Sequence, residues 1–254
     1  MPRLVIHFTP PPEVHLGPVT LNCHGTFFLL GAVTAWLWTR ARVPREYHVH
    51  LDNLASWLTL GGIVGARAFY VLLNPSMLLD PLSVLAIWEG GLVSYGGFFG
   101  ALAAWWLYLR WNKLPRELFN DAVGPPALAG WGVGRIGCFL NWWNEYGTVT
   151  TVPWGLVVGN DPPRHPVMLY LAIGHILAAI TAARLGRRWG VRADGLALMG
   201  YGLMRLTFDF WRDYDPVSLR LGSQALAVLF LVAGLLLVLK GRMPDRSISP
   251  PSAE

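Results

Sequence analysis

The sequence predicts an all-α, polytopic membrane bundle of about seven transmembrane helices, with its N-terminus outside and its C-terminus cytoplasmic. Three observations predict it. Of 254 residues, 54% are hydrophobic and only 14% charged, with a mean hydropathy of +0.41; a soluble domain carries roughly 25% charged residues. Apolar runs of spanning length recur along the chain, at approximately 21–39, 51–73, 91–109, 118–138, 166–183, 195–211 and 222–239. Lysine and arginine then fall unevenly between those runs.

With the N-terminus outside, the cytoplasmic segments hold thirteen of the twenty basic residues, including Arg40, Arg110, Arg187 and Lys240. The outer segments hold four, Arg3, Arg164, Arg212 and Arg220. Thirteen against four satisfies the positive-inside bias and sets the orientation. Tryptophan pairs such as Trp36/Trp38, Trp105/Trp106 and Trp142/Trp143 sit near span ends, where aromatic belts form. The +5 formal charge and pI near 9.5 do not mark a nucleic-acid protein, because the cations punctuate spans and form no stripe.

No soluble domain fits between the spans, so residues 1–254 read as a single integral membrane domain. Residues 141–165 read as a short extracytoplasmic loop and 241–254 as a cytoplasmic tail. The first twenty residues are proline-rich without a basic-then-apolar pattern, so no cleavable signal peptide is expected and the first span acts as its own insertion signal. Two cysteines, Cys23 and Cys138, make neither a disulfide framework nor a zinc site, although both fall near outer span ends and a single bridge stays open.

Three arginines remain, and all lie within spans: Arg67, Arg135 and Arg205. By the helical rise, Arg67 and Arg205 each lie about 9 Å from the outer end of their span, and Arg135 closes the fourth span on the same side. Each costs about 2.5–3.5 kcal/mol at a helix centre on insertion scales. A structural reading pairs each arginine with a carboxylate or with helix-end carbonyls. Three on one side, with few acids nearby, point instead to an anionic lipid phosphate, which the planar guanidinium fork suits.

Other polar residues gather at the same level. Asp209 follows Arg205 by four and Arg212 by seven, so one helical face carries all three, and Asp209 either orients Arg205 or makes a plain salt bridge. The run Gly90-Gly91-Leu92-Val93-Ser94-Tyr95-Gly96-Gly97 opens the third span. Its glycines permit close helix packing, with Gly96 and Gly100 at GxxxG spacing, and they also leave helix N–H groups open to an anion. His24 and Tyr95 stand at outer helix ends, as interfacial anchors or as proton carriers. Glu145 reads as either solvated loop or site; Arg164-His165-Pro166 can simply begin the fifth helix, with proline near its first position.

Taken together these residues resemble the prolipoprotein diacylglyceryl transferase family over almost the whole chain, in order. His24-Gly25 resembles the family's aromatic-glycine pair, and Gly65-Ala66-Arg67 with Tyr70 its arginine-tyrosine motif. Trp88-Glu89-Gly90-Gly91 through Tyr95-Gly96-Gly97 resembles the glycine-rich motif. Gly134-Arg135-Ile136-Gly137 with Asn141 and Glu145-Tyr146-Gly147 resembles the signature; Arg164-His165-Pro166 with Leu169-Tyr170, and Gly200-Tyr201-Gly202 with Arg205, Asp209, Phe210 and Arg212, resemble the last two motifs. There are departures. Tyr95 stands where the family has a histidine, His24 where it has a tyrosine, Cys138 where asparagine is common and Leu171 where glutamate often follows the tyrosine; the 141–165 loop is short for the family.

The resemblance implies transfer of diacylglycerol from phosphatidylglycerol to the lipobox cysteine thiol of a preprolipoprotein, releasing glycerol 1-phosphate, in a bacterial cytoplasmic membrane with the site toward the outer leaflet. It implies that Arg135 and Arg205 hold the phosphate with Arg67 in support, that His24 or Tyr95 handles the proton, and that Glu145 or Asp209 orients the arginines. Tyr70, Gly96, Gly97, Asn141 and Gly147 join the substrate-binding set. Its partners are phosphatidylglycerol, lipobox-containing preprolipoproteins and the bilayer, with no nucleic acid. No cofactor and no metal are expected, since no clustered ligand set is visible. Two other readings stand beside it: a same-fold transferase with another acceptor, and a non-catalytic protein that binds anionic lipid or lipoprotein precursors. An intramembrane protease is disfavoured by the shortage of acids.

Overall fold

The computed structural model describes residues 6–11, 13–16, 19–86, 91, 93–141, 147–213 and 217–240. Within them the chain is predominantly helical. Three short strands come first, β1 (Ile6–His7), β2 (Val14–Leu16) and β3 (Val19–Leu21). Then follow α1 (Cys23–Arg40), α2 (His48–Leu73), a short α3 (Pro81–Leu85), α4 (Ser94–Trp111) and α5 (Arg116–Asn141). A final strand, β4 (Leu156–Val157), precedes α6 (Val167–Trp189), α7 (Ala193–Phe208) and α8 (Val217–Leu239).

The seven long helices fall on the seven apolar runs of the sequence. Among the described residues, three stretches are long and apolar enough to cross a membrane, Arg45–Leu73, Val167–Trp189 and Arg220–Leu239. Many large apolar side chains face outward, among them Leu29 and Leu37 on α1, Val64 and Leu72 on α2, and Leu229 and Leu236 on α8. An apolar exterior of that extent needs an apolar surround. The chain is thus an all-α protein of membrane type.

Its contacts divide it into two compact units. Arg40–Phe119 forms one; Met1–Thr39 and Asn120–Glu254 form the other. In the Arg40–Phe119 unit, α2 and α4 pack through a seam of small residues. A Cβ on Gly65 would lie 2.3 Å from the Gly96 carbonyl oxygen, and one on Gly100 2.1 Å from that of Gly61. The GxxxG spacing therefore serves close backbone approach. Below the seam, Leu54, Tyr108, Leu109, Leu114 and Phe119 form a buried cluster.

In the larger unit, polar groups settle the helix ends before the apolar faces meet. The Ala193 N–H, at the start of α7, donates to Asp121 Oδ1 on α5 at 2.5 Å. Asp194, also in the first turn, accepts from Arg192 and from the Gly195 N–H, so negative charge sits at the positive end of the helix. At its other end, α6 stops at Gly190, whose φ of 65° is the left-handed cap that glycine adopts at little cost. Leu128 and Ala129 pack on Ala179, Ala182 and Ala197, which joins α5, α6 and α7.

Overfilling the α2–α4 seam has a defined cost. Gly100→Leu should lower stability by about 1–3 kcal/mol, the range for overpacked contacts, read as an earlier thermal unfolding midpoint in detergent. Gly222→Ala, where an added Cβ meets nothing within 4 Å, should leave that midpoint unchanged or slightly raised.

Candidate functional site

Five helices of the larger unit bring a polar layer and an aromatic layer together, because neighbouring helices run in opposite directions. The aromatic layer is a chain of rings. Phe28 of α1 meets Trp131 of α5 edge-on at 5.7 Å; Trp131 meets Tyr201 of α7 at 6.5 Å; Tyr201 stacks on His175 of α6 at 5.3 Å and 11°, and meets Phe230 of α8 at 5.2 Å. One helical turn from three of these rings stands a polar group: His24 before Phe28, Arg135 after Trp131 and Arg205 after Tyr201. Spacing of four puts each pair on one helix face. All three polar groups lie toward the start of α1 and the ends of α5 and α7.

Arg205 is 8% exposed and Asp209 0%. Their side chains lie 3.4 Å apart, and the Ser223 hydroxyl of α8 bridges them: Arg205 Nη2 donates to Ser223 Oγ, which donates to Asp209 Oδ2 at 2.6 Å. The expectation that Asp209 orients Arg205 matches this geometry. That Arg212 shares the same helical face does not. α7 ends at Phe208, a 3-10 turn covers Asp209–Trp211, and Arg212 is extended, bridged antiparallel to Gly147.

Arg135, also 8% exposed, keeps its guanidinium 4.9 Å from the Trp131 ring centre and donates from Nη1 to Cys138 Sγ and Met168 Sδ, each at 3.6 Å. Sulfur is a weak acceptor. The same Cys138 sulfur lies 3.6 Å from His24 Nδ1, so a guanidinium, a thiol and an imidazole form one chain. Cys23 and Cys138 form no disulfide with each other in the structure.

Around the helix ends, Gly147 is held by its neighbours' backbones. Its carbonyl accepts from Arg164 Nη1 at 3.0 Å, and a Cβ there would lie 2.1 Å from the His165 carbonyl oxygen. Arg164 also pairs with Asp213 at 3.0 Å. His165 Nδ1 lies 3.3 Å from the Tyr170 hydroxyl, which accepts from Trp154 Nε1 at 2.7 Å. Parallel pairing of β1 with β4 brings the N-terminal segment to the same loop, and Phe8 stacks on Phe139 at 5.0 Å. Asn141 is the last residue of α5. Beside the site, an apolar groove of about 590 Å³ runs between α6 and α7, lined by Tyr170, Gly174, Leu177, Gly200, Met204 and Phe208.

The remaining expected residues belong to the Arg40–Phe119 unit or lie outside the described residues. Arg67 donates to the carbonyls of Val84, Ser83 and Gly91, and its guanidinium sits 5.4 Å from the Tyr70 ring centre. It ties α2 to the α3–α4 connection, at a Gly91 whose φ of 73° leaves no room for a Cβ against Tyr70. Gly96 and Gly97 face α2. The Tyr95 side chain and Glu145 lie outside the described residues. Among the described residues no group of three His, Cys, Asp or Glu could hold a metal ion.

Sequence reasoning passed over His175 and Ser223. His175 carried a signal, an ionisable residue inside an apolar run, which marks function by default. Ser223 carried none.

Comparison with known proteins bears directly on this site. The family model described as prolipoprotein diacylglyceryl transferase matches residues 11–240. A phosphatidylglycerol–prolipoprotein diacylglyceryl transferase of Cupriavidus necator is 33% identical, over 96% of this chain and 97% of its own length. Proteins of the same name from Solidesulfovibrio magneticus and Coxiella burnetii are each 34% identical, covering 94% and 81% of this chain and 97% and 83% of their own.

Two stability measurements test the site's architecture. Asp209→Ala should cost about 3–5 kcal/mol, because it strips a buried guanidinium of its carboxylate; Ser223→Ala should cost less, about 1–3 kcal/mol. Burial holds His165 below the ordinary histidine value of 6.5. The unfolded chain therefore binds the proton first as pH falls, so stability is full above 6.5 and declines from there toward the lowered value. In His165→Gln that decline should be shallower in a pH series of unfolding midpoints.

Proposed function

The chain belongs to the prolipoprotein diacylglyceryl transferase family, and from that premise we propose how its residues perform the family's reaction. The chain transfers the diacylglyceryl group of phosphatidylglycerol to a prolipoprotein in lipoprotein maturation. One observation carries the assignment of roles: two guanidiniums, each 8% exposed, stand one helical turn beyond Trp131 and Tyr201, two rings in contact at 6.5 Å.

Arg135 and Arg205 bind the lipid phosphate. Arg205 is held by Asp209 and Ser223; Arg135 is positioned by the Cys138 and Met168 sulfurs and by the Trp131 ring. The thiolate of the lipobox cysteine attacks the diacylglyceryl carbon bonded to the phosphate oxygen. That carbon–oxygen bond breaks, a thioether forms, and glycerol 1-phosphate leaves with the bonding pair. Charge gathers on the departing phosphate, where preorganised cations act most strongly. An ordinary cysteine thiol titrates near 8.5, so attack needs a base. His24 takes the proton: it lies in the first turn of α1, is exposed, and is linked through Cys138 to Arg135.

The groove between α6 and α7 takes an acyl chain alongside Met204 and Phe208, which flank Arg205. The bundle spans a bacterial cytoplasmic membrane as a single multi-pass domain with seven spans. Its N-terminus, the 141–165 loop and the polar layer lie toward the outer leaflet, and residues 241–254 lie in the cytoplasm; the distribution of lysine and arginine supports that orientation.

Purified protein reconstituted with phosphatidylglycerol and a lipobox peptide should release glycerol phosphate and give a peptide mass shift together. Arg135→Ala should lower kcat/KM by at least about 100-fold, the scale for losing one preorganised charge donor. His24→Phe should abolish turnover at neutral pH while lipid binding persists. Full activity in His24→Phe with none in Tyr95→Phe would move the proton to Tyr95.

A further inference from the structure

Among the described residues, His175 is the most deeply buried ionisable side chain that the mechanism above leaves idle. It lies in α6 about 12 Å from the helix start at 1.5 Å per residue. It is 0% exposed, and neither ring nitrogen has a hydrogen-bond partner among the described residues. One ring face stacks on Tyr201, and a Cβ on Gly132 would come within 3.3 Å of His175 Cβ, so α5, α6 and α7 together fix the ring's place. Arg205 stands one helical turn beyond Tyr201, and Arg135 one turn beyond Trp131, a ring that also meets Tyr201.

Two idle nitrogens in such a setting are costly. Leaving a buried polar group unmatched costs its full desolvation, and an apolar residue of like size would fill the same space without that loss. A bound group that supplies both a donor and an acceptor removes the cost. The neutral imidazole offers one N–H donor and one bare acceptor nitrogen, and a hydroxyl, which both donates and accepts, can match either. The phosphate, all acceptor, is already matched by two all-donor guanidiniums. The headgroup glycerol, attached directly to that phosphate, carries two free hydroxyls.

We propose that His175 is a specificity-determining residue that hydrogen-bonds a headgroup glycerol hydroxyl of the lipid whose phosphate Arg135 and Arg205 hold; the inference rests on that phosphate assignment. A site built to pair with a hydroxyl rejects an analogue that lacks it far more strongly than an apolar site can, since its own polar groups are then left unmatched. The chain would thus choose phosphatidylglycerol over anionic phospholipids of equal charge without a polyol headgroup.

The test compares phosphatidylglycerol with phosphatidylmethanol, which has the same charge and no headgroup hydroxyl. Each is titrated against the full-length protein in nanodiscs of neutral lipid. The unaltered chain should prefer phosphatidylglycerol by about 10-fold or more. His175→Phe, or His175→Leu if the larger ring is not accommodated, should reduce that preference to about 2-fold or less with little effect on phosphatidylmethanol. His175→Gln, which keeps a donor and an acceptor, should restore part of it. A preference that survives in the apolar variants would overturn the proposal, with a buried water then matching the ring. So would an equal loss for both lipids, which marks a structural role. Arg135→Ala separates the two levels of inference: it should weaken both lipids alike, and if it weakens neither, the phosphate assignment itself is wrong.

Discussion

A guanidinium held inside an apolar bundle is the constraint on which the larger unit depends. Arginine cannot shed its proton, so its surroundings must supply what water would have supplied. Around Arg205 a carboxylate that is 0% exposed and a serine from another helix do so. Around Arg135 the neighbours include an aromatic face and two sulfurs, which are polarisable groups. Both guanidiniums are thus fixed by side chains from more than one helix, and a site built on them has its geometry set before a ligand arrives.

Antiparallel succession makes that arrangement possible. Residues near the starts of α1 and α8 meet residues near the ends of α5 and α7, although they are far apart in the chain. Spacing of four then stacks each polar group over a ring of the same helix, so the ring chain from Phe28 to Phe230 forms a hydrophobic floor beneath the charges. Such a floor limits water below the cations, and a drier setting strengthens their pull on phosphate oxygens. His175 enters that floor with two ring nitrogens, neither of them hydrogen-bonded among the described residues.

Much of this was legible in the sequence, for physical reasons that differ by residue. Charges inside apolar runs cannot be disguised, so Arg67, Arg135 and Arg205 stood out, as did the seven helical segments. The pairing of Asp209 with Arg205 followed from spacing alone. Arg212 was misplaced because Leu206 to Asp213 contains no glycine or proline to announce the end of α7. His175 was passed over because attention went to permanent charge, and a histidine amid alanine and leucine reads as core until its unmatched nitrogens are seen. Ser223 looked like any serine in a helix. Arg67 shows the opposite case: a conspicuous charge whose donors meet three backbone carbonyls of its own unit. The strands could not be read at all, since a proline-rich segment shows no alternation and β4 is too short to carry a period.

The parallel pairing of Ile6–His7 with Leu156–Val157 also bears on how the chain is made. About 150 residues separate the partners, and at about 5–20 residues per second roughly 10–30 s pass between the synthesis of one and the other. Throughout that interval the first strand lacks its β4 partner, and for most of it Phe139, on which Phe8 stacks, has not been made. Closure of the N-terminal segment over the end of α5 therefore belongs among the last events of assembly. A ribosome that stalls before residue 156 leaves a chain with four long helices already made and the cover of its polar layer still open.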